Sequence, residues 1–172
     1  NGEVDFAVIT TPAEVESGLK MVELKPFYEV LVGGRTFTAL ASQNLSLKEL
    51  NNYPLISLSD ESMTRAFYRQ FFLDHGAVLK PDTEATTDQM LTLVKSELGI
   101  AFLPQSMAQD ALARGEIVQL HLQEIIPQRS ICLVYDHHRP LNTAARKFQQ
   151  MLTKAAPKTP GTQITAGPFP AN

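Results

Sequence analysis

With 172 residues, 44% of them hydrophobic, the chain is long enough to bury a core in one domain or in two small lobes. A net charge of −3, a pI of about 5.8 and only 15 scattered Lys and Arg exclude a domain that grips nucleic acid directly, because neutralising phosphates requires clustered cations. Cys132 is the single cysteine, so an internal disulfide is excluded; no apolar run reaches the length of a membrane span, and the start NGEVDFAV lacks the basic and apolar regions of a signal peptide.

Strands and helices alternate along the chain. Val4 to Thr10 predicts a nearly continuous apolar strand, the kind found where both faces of a parallel sheet are covered. Met21 to Leu24 and Phe27 to Val32 predict two strands divided by Lys25-Pro26, the second ended by Gly33-Gly34. Ser46, spaced as a capping box with Glu49, starts a short helix that Pro54 follows, and Leu55 to Leu58 is a strand. Thr64 to His75 predicts a helix with Phe67 over Phe71 and Tyr68 over Phe72, closed by Gly76.

The segment Thr86 to Pro104 is the most legible part of the chain. Thr86 and Gln89 have capping-box spacing, Asp88 adds negative charge to the helix start, and Met90, Leu91, Val94 and Leu98 recur at helical spacing. Gly99 is expected as a left-handed C-cap before the buried strand Ile100 to Leu103, and helix followed by strand followed by helix is α/β grammar. Ser106 and Gln109 repeat the box, Ala108, Ala111 and Leu112 face inward, and Gly115 precedes the strand Ile117 to Leu122. Ile131 to Tyr135 is the last strand, with Cys132 a buried thiol in it. Asn142 caps a final helix whose buried stripe is Ala144, Ala145, Phe148, Met151 and Leu152, and residues 157–172, rich in proline and glycine, are expected to be a disordered tail.

The ordered set GEVDFAVIT, VELKPFYEVLV, SLKELNNYPLI, FFLDHGAVLKP, TTDQMLTLVKSELGIAFLP, LARGEIVQLHL and LVYDHHRPLNTAARKFQQML resembles the effector-binding domain of LysR-type transcriptional regulators from Gly2 to about Ala155. The resemblance implies an α/β, two-lobed sensor of the periplasmic-binding-protein type II kind, holding a small molecule in the cleft between its lobes. It places residues 1–38 together with 136–156 in lobe I and 39–135 in lobe II. It also implies that the N-terminal winged helix-turn-helix and the first strand–helix units of lobe I are absent here, so that lobe I is incomplete. An incomplete lobe leaves the strand Val4 to Thr10 with an open edge, which leads us to expect either a truncated chain or a strand completed by another chain. Arg35 to Leu40 stands where the family commonly carries His-Pro-Leu, so the first crossover is expected to depart from the family's geometry.

Candidate ligand groups follow from helix starts, which present free N–H groups and a partial positive charge outside the carboxyl ends of strands. Ser59, Ser62, Met63 and Thr64 lie between a predicted strand and the Phe-rich helix, and the resemblance assigns ligand contacts to Ser62, Met63 and Thr64. Thr10 and Thr11 match a position that touches the effector in the family, and Thr86 and Thr87 form a third group. Each of these hydroxyls has a plain alternative as a cap or a strand end. The set suggests a small organic anion, attracted by Arg65 and opposed by Asp60 and Glu61. Adjacent His137 and His138, between Asp136 and Arg139, read as a solvated turn, since neighbouring side chains on a strand point apart, and no metal or cofactor is expected.

No nucleophile elbow, HExxH, Walker loop or GxGxxG occurs, so an enzyme is not expected. The favoured expectation is a cytoplasmic ligand-sensing module whose occupancy is read out through DNA-binding domains outside this chain, in a homodimer or homotetramer with no membrane partner. An exported solute-binding protein of a transporter is the main alternative, and a small α/β enzyme the third.

Overall fold

The structure, a computed structural model, describes residues 6–13, 15–136, 138 and 142–155, without the side chains of 144 and 153–155. The expected tail at 157–172 lies outside them. The chain forms two compact units, residues 27–129 and residues 1–26 with 130–172. It changes unit after Pro26 and after Arg129, where the sequence suggested 38 and 135.

The smaller unit holds β1 (Phe6–Thr10), most of β2 (Leu19–Phe27) and β9 (Arg129–Asp136) in a sheet of order β1-β9-β2, with the helix α4 (Thr143–Ala155). β1 runs antiparallel to β9, Ile9 opposite Cys132, where the apolar run alone suggested a parallel strand; it lies at the edge of the described sheet with Val8 52% exposed, in line with the open edge expected for an incomplete lobe. β2 continues through Lys25-Pro26 instead of breaking there; it is the other edge of the described sheet, the position in which strands tolerate proline. Asn142 caps α4 as expected, its Oδ1 accepting the Ala145 N–H at 2.8 Å. Of the predicted stripe Ala145 is buried, but Phe148 and Met151 are 46% and 61% exposed, Phe148 stacking on Phe6 at 5.4 Å. Asp136 Oδ1 accepts the His138 backbone N–H at 2.9 Å, closing a turn; His137 and Arg139 lie outside the described residues.

The larger unit is a six-stranded sheet of order β4-β8-β3-β7-β5-β6, with β3 (Glu29–Gly33), β4 (Asn44–Leu45), β5 (Leu55–Ser57), β6 (Thr83–Glu84), β7 (Ile100–Pro104) and β8 (Val118–Leu122). It is a mixed sheet: β5 is parallel to β6 and β7, and β4 to β8, but β3 is antiparallel to both its neighbours. Period-two alternation sends Leu31, Ile100 and Phe102 to one face, and Val30, Val32, Ala101 and Leu103 to the other. The first face packs on α1 (Met63–Asp74) through Phe67, Tyr68, Phe71 and Phe72. The second packs on α2 (Thr87–Lys95) and α3 (Gln105–Ala113) through Met90, Val94, Ala108 and Ala111. Burial on both sides is why these strands read as continuous apolar runs.

Local chemistry sets the connections. Ser46 N–H and Oγ both donate to Glu49 Oε2, at 2.7 and 2.8 Å, but the short 3-10 helix begins at Glu49 with Lys48 before it and the Glu49 N–H goes to the Ser46 carbonyl, so Ser46 is not the cap that its spacing predicts. Residues Arg35–Ser42 form a 3-10 helix whose first N–H groups are met from far along the chain: the Glu97 carboxylate accepts Arg35 N–H at 2.8 Å, Thr36 N–H at 3.1 Å and the Thr36 hydroxyl at 2.6 Å. The Thr36 hydroxyl and N–H hold the Glu97 carboxyl below its ordinary range. α3 is not capped by Ser106; it starts directly after Pro104, and the Gln105 N–H donates to the Tyr28 carbonyl at 2.8 Å.

Gly99 serves a purpose other than the expected cap. α2 already ends at Lys95, Glu97 takes the left-handed conformation at φ +64°, and Leu98 is 53% exposed outside the predicted stripe. A Cβ on Gly99 would be driven into the Pro54 carbonyl oxygen, which accepts the Ile100 N–H at 2.8 Å where β5 and β7 begin to pair. Gly99→Ala is therefore expected to destabilise the protein by about 1–3 kcal/mol, as overpacking against backbone does. Urea unfolding followed by circular dichroism measures this, and a loss of no more than a few tenths would show that the strands yield.

Candidate functional site

One end of the six-stranded sheet gathers the candidate residues of the larger unit. The carboxyl ends of the parallel strands β5 and β6 lead into α1 and α2. β7 also ends there, at Pro104, and because β3 runs the other way its first residue, Glu29, pairs with Pro104. The end where parallel strands stop and helices start thus also receives an acidic side chain.

The two helix starts differ in what they leave open. At α2 the Gln89 side chain accepts the Thr86 N–H at 3.1 Å, the Thr86 hydroxyl donates to Asp88 Oδ1 at 2.6 Å, and that bond holds the Asp88 carboxyl below its ordinary range. A carboxylate already sits on this helix start, so Thr86 matches the capping reading, Thr87 is the first residue of the helix, and an anion is disfavoured there. At α1 the Ser62 side chain makes no capping bond, the first turn has no acid, and intrahelical bonding begins only with the Ala66 N–H on the Ser62 carbonyl. The N–H groups of the first turn at Met63, Thr64 and Arg65 form the helix's partial positive end.

Around that start the charges are arranged otherwise than the sequence suggested. Arg65 is buried and donates from Nη1 to the Leu58 carbonyl at 2.9 Å, with Asp60 and Glu84 at 3.8 and 3.7 Å, so it braces the loop between β5 and α1. Asp60 is also held by a short contact with Arg69, which reduces the repulsion expected from it. Ser59 is exposed and its carbonyl accepts the Ser62 N–H at 3.0 Å; Met63 is 60% exposed.

Thr64 is the predicted residue with the most informative surroundings. Its half-buried hydroxyl accepts Nη2 of Arg129 at 3.1 Å, and Arg129 Nη1 donates to Glu29 Oε1 at 2.9 Å. The Arg129 and Glu29 side chains are only 2% and 3% exposed. The guanidinium lies over the Phe67 ring at 4.8 Å and over the Phe27 ring at 5.3 Å, a cation–π setting that suits a weakly hydrated planar cation. Burial pushes the Glu29 carboxyl above its ordinary range, and the charge and hydrogen bond of Arg129 pull it back. Neither residue was among the sequence candidates. The available signal was Glu29 itself, a charge in the apolar run FYEVLV that must find a partner if both faces of the strand are covered.

In the smaller unit Thr10 pairs with Ile131, while the Thr11 N–H donates to the Ser130 carbonyl at 2.9 Å and the Thr11 hydroxyl accepts the Ser130 N–H at 2.8 Å. Both threonines therefore have strand-pairing work of their own. Among the described residues no three metal-ligating side chains converge, and no helix is long and apolar enough to cross a membrane.

Comparison with known proteins agrees with this architecture. The family model described as LysR substrate binding domain matches residues 1–157. The chain is 26% identical over 153 residues to the HTH-type transcriptional regulator CbbR of Cereibacter sphaeroides, covering 88% of this chain and 49% of that protein, so it spans about half the length of this curated relative. Among solved structures it resembles the Synechocystis PCC6803 CcmR regulatory domain in complex with 2-PG, with a TM-score of 0.76 at 20% identity over 90% of this chain and 74% of that one. It also resembles the effector binding domain of QuiR in complex with shikimate, with a TM-score of 0.73 at 21% identity over 88% and 71% of the two chains. At such identities the structural likeness is one of fold.

Proposed function

Because this chain belongs to the LysR substrate binding domain family, we propose that it is the ligand-sensing domain of a DNA-binding transcriptional regulator and takes a small organic anion at the start of α1. The residues we assign to the ligand are Ser62, Met63 and Thr64, with Arg129 behind Thr64. Thr10 and Thr11 are secondary candidates from the smaller unit, and Ser59, Thr86 and Thr87 are better explained as turn, cap and helix-start residues. The two compact units correspond in this reading to the two lobes of the sensor.

The observation that carries the proposal is the contrast between the helix starts. α2 satisfies itself and bears its own carboxylate, whereas α1 has no side-chain cap and no acid in its first turn, and its Thr64 hydroxyl touches a buried guanidinium. An anion placed there meets free N–H groups, the helix dipole and a polarised hydroxyl. The ligands in the CcmR and QuiR structures, 2-PG and shikimate, make small metabolites the first class to test. DNA contact then belongs to a part of the regulator outside this chain, consistent with the scattered cations. Occupancy shifts an equilibrium between regulator states without chemistry, which requires only differential affinity. Family membership favours this reading over an exported solute-binding protein and over an enzyme.

A thermal-shift screen of small organic acids tests it, since a ligand bound only to the folded state adds about 2.7 kcal/mol at 100 times its Kd. Thr64→Ala is expected to weaken the best acid about fivefold, the worth of one hydrogen bond near 1 kcal/mol, and to lower the unliganded stability by no more than about 1–3 kcal/mol, because Arg129 Nη2 loses an acceptor. A larger fall in that stability with ligand affinity intact would make Thr64 a structural residue instead.

A further inference from the structure

Four side-chain atoms in the larger unit, Glu29 Oε2, Arg65 Nε, Tyr68 Oη and Glu116 Oε2, are buried with no hydrogen-bond partner among the described residues, although Glu116 Oε2 is ion-paired with Lys95 Nζ at 2.6 Å. Arg65 is otherwise committed to the Leu58 carbonyl and to Asp60 and Glu84, and the Tyr68 ring is stacked on Phe102 at 4.5 Å within the aromatic core. Glu29 stands apart, because its carboxylate is joined to Thr64, in the first turn of α1, through a single guanidinium: Oε1 takes Arg129 Nη1, and Arg129 Nη2 reaches the Thr64 hydroxyl.

The protonation state decides what Oε2 lacks. Arginine is always charged, and its Nη1 lies 2.9 Å from Glu29 Oε1, an ion-pair contact that favours the ionised carboxylate. An ionised carboxylate oxygen only accepts, and a buried acceptor left unmade is among the more expensive groups a fold carries. The missing partner is therefore a donor. A purely anionic ligand does not supply one and would be repelled by Glu29; an anion that also carries an O–H or N–H satisfies both ends.

We propose that Glu29 is the specificity-determining residue of this site, its Oε2 accepting a hydrogen bond from a hydroxyl or amino group carried by the ligand next to the anionic group held at the start of α1. This rests on the α1 site assigned above and narrows its ligand class from organic anions to hydroxy or amino acids. Sites built to hydrogen-bond a ligand donor reject the analogue lacking it strongly, because the buried acceptor is then stranded.

The experiment is calorimetric and thermal-shift titration of the protein with matched pairs: lactate against propionate, malate against succinate, serine against propionate, and 3-hydroxybenzoate against benzoate. In at least one pair the donor-bearing member is expected to bind at least tenfold tighter, and this preference is expected to fall below threefold in Glu29→Gln. Should Glu29→Gln not fold, the double variant Glu29→Leu with Arg129→Met supplies the background without the acceptor. If members of every pair bind alike, or if the preference persists in the variant so that Oε2 serves only a buried water, the inference is overturned while the anion site stands. If no acid of either kind binds, the anion site itself is refuted and this inference with it.

Discussion

Arg129→Met is expected to destabilise the protein by about 3–5 kcal/mol, the cost of stranding one member of a buried ion pair. Glu29 would then lie in an apolar layer without its cation, and the carboxylate would have to take up a proton or draw in water. The informative partner is the double variant Glu29→Leu with Arg129→Met. Replacing both charges by apolar side chains of similar size removes the desolvation cost together with the attraction, so the double variant is expected to fall within about 1 kcal/mol of the parent, or above it. Urea unfolding of the four proteins in a double-mutant cycle gives the coupling directly. A single-variant cost under about 1 kcal/mol would mean that solvent reaches the pair. A double variant as stable as the parent but deaf to ligands would show that the pair is kept for recognition and not for folding.

Phe72→Ala is expected to cost about 3–5 kcal/mol, through lost transfer energy and the cavity left behind. Phe72 is fully buried, edge-on to Phe102 at 6.2 Å and to Phe71 at 6.3 Å, on the face of the sheet that α1 covers. Its neighbour Leu73 lies one residue further round the helix and is 53% exposed, so Leu73→Ala is expected to change stability by no more than about 0.5 kcal/mol. The two variants lie side by side in sequence, so chemical denaturation of both checks the orientation of α1. Equal costs would mean that the helix is rotated about its axis.

How much of this was legible in the sequence depended on the range of the interaction. Elements governed by neighbours are legible: the Asn142 cap, the Phe67 and Phe71 stack at 6.5 Å, and the Met90 and Val94 stripe all involve residues a few positions apart. What depended on distant partners was not. The reversal of β3 against β7 and β8 leaves no local trace, because a strand covered on both faces reads the same in either direction. Gly99 was read as a cap when the reason for a missing side chain is the Pro54 carbonyl, more than forty residues earlier. Ser106 and Gln109 had the spacing of a box, but Pro104 had already fixed where α3 begins. Glu29 and Arg129 are separated by 100 residues, and only folding reveals that each is the other's counter-ion. Thr64 was found because hydroxyls at helix starts are conspicuous, whereas the charge behind it was not.

The larger unit is one uninterrupted stretch, while the smaller is assembled from segments on both sides of it. Its first and last residues, Phe27 and Arg129, nearly meet, the guanidinium of one resting 5.3 Å from the ring centre of the other. A stretch whose entry and exit adjoin behaves as a cassette: cutting it out or joining its ends requires little chain closure. The fragment 27–129 should therefore accept circularisation or transplantation into a host loop, and during synthesis it can complete its own sheet before the final strand and helix exist.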